Sequence, residues 1–175
     1  MDAWRKSRMP LQREAVARTA LRLLDEVGLD GLTMRRLAVE LNIQNPSLYW
    51  HFTNKQELLN CIAEVMLADT FADLRPPEPD QDWATWLAGY ARLLRRMSLG
   101  HRDGARTLAE ADLSMGLFVS GMEMAARVLL DAGFDPDQAM VCIISIHSYV
   151  LGVTFEVQAD PTHTTLPTSQ ANASP

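Results

Sequence analysis

Apolar residues recur at intervals of three and four along almost the whole chain. No stretch alternates apolar and polar with turn signals at strand spacing, so the sequence predicts an all-α fold. Val16, Ala20, Leu23, Leu24 and Val27 define a first helix from about Leu11 to Val27, stopped by Gly28. Thr33 is placed to cap a second helix, whose Leu37, Ala38 and Leu41 point inward. Asn42 and Ile43 turn the chain into a short third helix, Pro46 to His51, where a proline in the first turn sacrifices no hydrogen bond. Asn54 and Glu57 cap a fourth helix, striped by Leu58, Leu59, Ile62, Ala63, Met66 and Leu67.

The run RPPEPDQD at 75–82 then breaks the periodicity and marks a boundary. Beyond it, Trp83, Trp86, Leu87, Tyr90, Leu94 and Met97 make a fifth helix ending near Gly100, and a shorter one follows over Arg102 to Leu108. Another runs from Leu117 to Gly133, a residue suited to a left-handed cap. Asp135, Pro136 and Gln138 carry capping-box chemistry for a last helix, Pro136 to Val157. The expected organisation is one helical unit at 11–71, a second at 80–158, and a disordered tail at 159–175. Met140 to Phe155 is apolar almost all round and must be covered on both sides. That sixteen-residue run contains His147 and is short for a membrane span, so no membrane partner is expected.

Composition adds limits. Hydrophobic residues make up 47% of the 175, enough for a real core. Cys61 and Cys142 lie in apolar helical patterns and read as reduced core residues in a cytoplasmic protein; no secretory signal is evident. The net charge of −6 is unevenly spread: residues 1–58 carry nine Lys/Arg against seven Asp/Glu, the rest seven against fifteen. A phosphate-binding face therefore belongs at the N-terminal end, with Arg5, Lys6 and Arg8 as an arm and Arg35, Arg36 and Lys55 in the helical motif.

Two short helices around a tight turn at 31–58 are the layout of a helix-turn-helix. If Leu48 and Phe52, four apart, are buried, then Asn45, Ser47, Tyr49 and His51 face outward or along the rim. Asn is suited to base edges, Ser to the groove floor, and Tyr or His to phosphate. The same pattern also fits the solvated face of an ordinary helical hairpin.

The stretch LLDEVGLDGLTMRRLAVELNIQNPSLYWHFTNKQELL resembles the DNA-binding domain of the tetracycline repressor (TetR) family. It shares a helix ended by Gly, then GLT-x-R-x-LA-x-x-L, PxLYWH and NKxxLL. The resemblance implies that Met34, Arg35, Asn45, Pro46, Ser47, Tyr49, Trp50, His51 and Lys55 face DNA. Met34 and Asn45 stand where the tetracycline repressor subgroup has threonine and glutamine, which implies a different operator. LGHRDGAR at 99–106, DAGF at 131–134 and LGVTFEVQ at 151–158 extend the likeness to the regulatory domain of that subgroup. The resemblance implies a three-helix DNA-binding domain with a helix-turn-helix at 11–71 and a helical regulatory and dimerisation domain at 80–158, in a protein that binds an operator as a homodimer and releases it when a small molecule enters.

In the subgroup, histidines and an asparagine hold a magnesium-chelated drug. The matching positions here are Phe71, Tyr90 and Leu108, and Glu156 alone matches an acidic residue near the metal, so neither metal nor cofactor is expected. Phe71, Trp86, Tyr90, Leu94, Leu108, Met115, Met122, His147 and Tyr149 instead suit a hydrophobic or aromatic inducer, although each taken singly also reads as core. In the family, the last helix here pairs with a further C-terminal helix that this chain is expected to lack. The readings are a ligand-responsive repressor, or a DNA-binding regulator without small-molecule control because of a shortened C-terminal domain. An enzyme is not expected: there is no Gly-rich phosphate loop and no metal-ligand or Ser/His/Asp grouping, and HRDG at 101–104 lacks the rest of a kinase motif set.

Overall fold

The computed structural model describes residues 13–72, 74–112 and 116–159, the first four of the last segment by backbone alone. The arm cations Arg5, Lys6 and Arg8, the expected start at Leu11, Met115 and the tail from 160 lie outside the described residues. Those described form α1 (Arg13–Gly31), α2 (Met34–Glu40), α3 (Asn45–Tyr49), α4 (Lys55–Phe71), α5 (Trp83–Leu99), α6 (Gly104–Glu110), α7 (Gly116–Asp131) and α8 (Pro136–Ala159), with no strands among them.

The caps follow local chemistry closely. Gly28 (φ 75°, ψ 171°) interrupts α1 at the expected place, and one more turn follows to Gly31. A side chain at Gly28 would also meet the Asp103 carboxylate at 2.9 Å, so both backbone and space require glycine there. Thr33 accepts from the Arg36 amide at 3.1 Å, and Asn42 (φ 51°) makes the turn into α3. Asn54 accepts from the Glu57 amide at 2.9 Å, while Glu57 reaches back to the Thr53 amide at 2.6 Å, one residue earlier than an ideal capping box. Asp135 and Gln138 form a reciprocal box, at 2.9 and 3.2 Å. Asp82 caps α5 through the Thr85 amide at 3.0 Å. Helix α6 starts two residues later than the periodicity predicts, because Asp103 is left-handed (φ 54°).

One continuous apolar core runs from Val16 in α1 to Val150 in α8. Helix α4 crosses it: α1 packs on α4, which also packs on α5, α6 and α7, while α8 packs on α5, α6 and α7. Helix α8 buries Ala139, Ile143, His147, Val150 and Thr154 on one face. Met140, Val141, Ile144, Tyr149 and Phe155 remain exposed on the other. Helix α8 has 24 residues, and its most apolar stretch has a mean hydropathy of 1.7 with 22% of it buried; by length and composition it is enough to cross a membrane, a test that an apolar core helix of a soluble protein also passes.

Candidate functional site

The outward face of α3 is set by what α3 buries. Leu48 and Phe52 are fully enclosed, which leaves Pro46, Tyr49 and Trp50 exposed and Asn45, Ser47 and His51 half-exposed. Trp50, 88% exposed, is the most open of the large apolar side chains at this end. Arg13 pins the back of the motif: its guanidinium lies 4.9 Å from the Phe52 ring centroid and donates to the His51 carbonyl and to Glu57, both at 2.7 Å. The Thr53 amide, followed by Arg13, draws the Glu57 carboxyl down to about 2. Arg13 carries no signal in sequence, since its partners lie 38 and 44 residues away.

Arg35 is exposed on α2, as its proposed role requires, whereas Met34 is buried beneath the helix start, contrary to the expected DNA-facing position. The reason is geometric: Met34 opens α2 and is turned inward to join the core beside Leu37 and Ala38. Lys55 is exposed along its stem, but its ammonium donates to the Leu29 carbonyl at 3.0 Å. The Asn45 side-chain oxygen is buried without a hydrogen-bond partner.

Deeper in the molecule, a void of about 10 Å³ lies between α4, α5, α6 and α8, lined by Leu67, Leu94, Met97, Leu108, His147, Val150 and Leu151. That is room for about one water. Leu94, Leu108 and His147 were anticipated as lining, and Tyr90 joins them through a 2.9 Å hydrogen bond between its hydroxyl and His147 Nε2. Phe71, Tyr90 and Trp86 form a near-parallel stack, with centroids 6.0 and 5.7 Å apart and planes within 9°. Met122 is half-buried against the core. Tyr149 is a correction: it is 73% exposed, because two residues after the inward His147 a helix has turned about 200°. Leu67, Met97, Val150 and Leu151 escaped sequence reasoning, since an apolar wall and an apolar core look alike in sequence. Burial alone pushes the Tyr90 phenol above its usual range, and desolvation lowers the His147 imidazole, so the polar tips at this site are neutral at pH 7.

A third cluster ties the two ends together. Asp25 in α1 accepts from the Arg102 amide and contacts His101 Nδ1, both at 3.0 Å. Arg102 donates to the Glu26 carbonyl at 2.8 Å, Asp103 accepts from the Leu29 amide at 2.8 Å, and Arg106 pairs with Asp30 at 3.0 Å. From the opposite side, Gln158 of α8 donates to the Ser98 and His101 carbonyls at 2.9 and 2.8 Å and accepts from the Ala105 amide at 3.0 Å. The HRDG tetrapeptide is thus a structural clasp.

Residues 17–62 match the family model "Bacterial regulatory proteins, tetR family", and residues 75–173 match "Tetracyclin repressor-like, C-terminal domain". The chain is 45% identical over 152 residues to the tetracycline repressor protein class C of Escherichia coli, covering 85% of this chain and 67% of that protein. Its fold is similar to that of a TetR variant from Acinetobacter baumannii AYE in complex with minocycline, with TM-score 0.80 and 39% identity over 88% of this chain and 85% of that one. It is also similar to BioQ with its double-stranded DNA operator, with TM-score 0.75 and 32% identity over 85% and 88% of the two chains. The fold, the outward α3 face and these matches agree: the chain belongs to the TetR family of bacterial regulatory proteins and carries a tetracycline repressor-like C-terminal domain.

Proposed function

We propose that the protein is a ligand-responsive transcriptional repressor that binds a palindromic operator as a homodimer and is released by a small hydrophobic or aromatic inducer. It acts by binding, with no enzymatic step. The curated relative named above is a tetracycline repressor, and the two structural neighbours hold minocycline and an operator, respectively. The observation that carries the reading is the placement of α4. It packs along α1, from Arg13 on Glu57 to Arg18 on Asp69, while its Leu67 walls the internal void and Phe71 joins the aromatic stack.

Filling the void must displace one or more of its four walls, and on this reading α4 and α6 carry the signal. Displacement of α4 changes the separation of the two α3 helices, which in a dimer must match successive major grooves about 34 Å apart. Displacement of α6 acts through the clasp on the end of α1. On this reading residues 11–71 are the DNA-binding unit, 80–158 the regulatory and dimerisation unit, and 159–175 a tail. Arg35, Asn45, Pro46, Ser47, Tyr49, Trp50 and His51 contact DNA, with Lys55 positioning the loop before α2. Phe71, Trp86, Tyr90, Leu94, Leu108, Met122 and His147 receive the inducer. The bare apolar face of α8, with the small Ser145, Ser148 and Gly152 between its large residues, supports dimerisation through α8. The protein would work in the bacterial cytoplasm, on the nucleoid.

A second reading, a DNA-binding regulator without small-molecule control, is favoured by one observation: the void holds about one water. Selection of bound duplexes from a random pool, followed by anisotropy titration against a broad compound panel, tests both. Release by at least one compound supports the first reading, and operator affinity unchanged across the panel supports the second. Absence of any selected sequence overturns both.

A further inference from the structure

The Tyr90 hydroxyl and His147 Nε2 satisfy each other at 2.9 Å inside an otherwise apolar wall. The pair is one donor and one acceptor, the hydroxyl and the ring nitrogen exchanging roles with the imidazole tautomer. A molecule larger than one water can enter only by parting side chains, and parting this pair exposes one buried donor and one buried acceptor. A single hydroxyl on the incoming molecule satisfies both in either tautomer, because it accepts from one partner and donates to the other. A hydrocarbon of the same shape satisfies neither, which is worth about tenfold or more in affinity. The parallel planes of Phe71, Tyr90 and Trp86 allow a flat ring to enter alongside them with little rotation. None of the residues lining the void is a Lys or Arg that could pair a buried anion.

We propose that the inducer is an uncharged, flat aromatic molecule bearing a hydroxyl group that inserts into the Tyr90–His147 hydrogen bond. This rests on the ligand-responsive reading above and deepens it by naming the chemistry of the ligand. Equilibrium dialysis of the full chain at pH 7 against three probes of similar outline tests it: 2-naphthol, 2-methylnaphthalene and 2-naphthoate. The expected order is 2-naphthol at least tenfold tighter than 2-methylnaphthalene, with 2-naphthoate weakest. In Tyr90→Phe combined with His147→Leu both polar tips are gone, so the first two should bind within about threefold of each other, with 2-methylnaphthalene bound more tightly than in the unmodified protein because no hydrogen bond has to part; Tyr90→Phe combined with His147→Met should do the same if the first double variant does not fold. Equal binding of the two neutral probes, tightest binding of 2-naphthoate, no binding of any probe, or an unchanged order in both variants would overturn the proposal. Operator binding measured without probe separates the two ideas. A chain that binds its selected duplex but fails the probe order loses only this proposal, and one that keeps the probe order but binds no duplex loses only the repressor reading.

Discussion

Glu57 accepts a hydrogen bond from the Thr53 amide and pairs with Arg13, and its folded value of about 2 lies below the ordinary 4.5. A depressed carboxylate stabilises the fold above the unfolded value and ceases to do so as pH falls through the folded one. Stability should therefore decline between about pH 4.5 and 2, and Glu57→Gln should flatten that part of the denaturation profile while lowering the plateau near pH 7. Asn45→Ala should relax base preference at one operator position, whereas Tyr49→Ala should weaken binding to all sequences; a selection experiment repeated on each variant separates these outcomes. Gly121 marks a different constraint, since a Cβ there would lie 2.5 Å from the Phe71 ring. Gly121→Ala should cost about 1–3 kcal/mol in urea denaturation through overpacking. Asn54, Thr33 and Asp135 were legible as caps because a cap depends on residues three apart. Arg13 and Gly121 were not, because their partners are brought in by tertiary packing.

Among the elements, α6 and the turn before it couple α1 to α8. Asp103 leaves the helical region to receive the Leu29 amide, and Gln158 holds the same turn from α8. Asp103→Ala should lose about 1–3 kcal/mol, as an amide loses a charged partner and alanine is strained at positive φ. Asp103→Asn should lose less, since asparagine tolerates that backbone and keeps an acceptor. If the clasp transmits the signal, the alanine variant should also bind operator but respond weakly to inducer, which anisotropy with and without ligand would reveal. The helices themselves were largely readable from periodicity and caps. The late start of α6 and the cap by Asp82 were not, because the first depends on a distant amide and the second sat inside a run read as linker.

For the molecule as a whole, the exposed face of α8 is the largest unresolved demand of a single chain. Val141 and Ile144, 65% and 51% exposed, lie on it. Val141→Lys with Ile144→Glu should shift the protein from dimer to monomer in sedimentation equilibrium and weaken operator binding by orders of magnitude, since one reading head loses the avidity of two. The all-α class, the break between α4 and α5, the reading helix and the family pattern were determined by the sequence alone, because period, caps and motif spacing are local properties. Tertiary structure alone decided that Met34 turns inward and Tyr149 outward, that the HRDG residues join α1 to α6, and that Tyr90 meets His147 in a nearly filled interior. Each of those outcomes depends on which helix faces lie against one another, and apolar periodicity marks that a face is buried without saying what it is buried against.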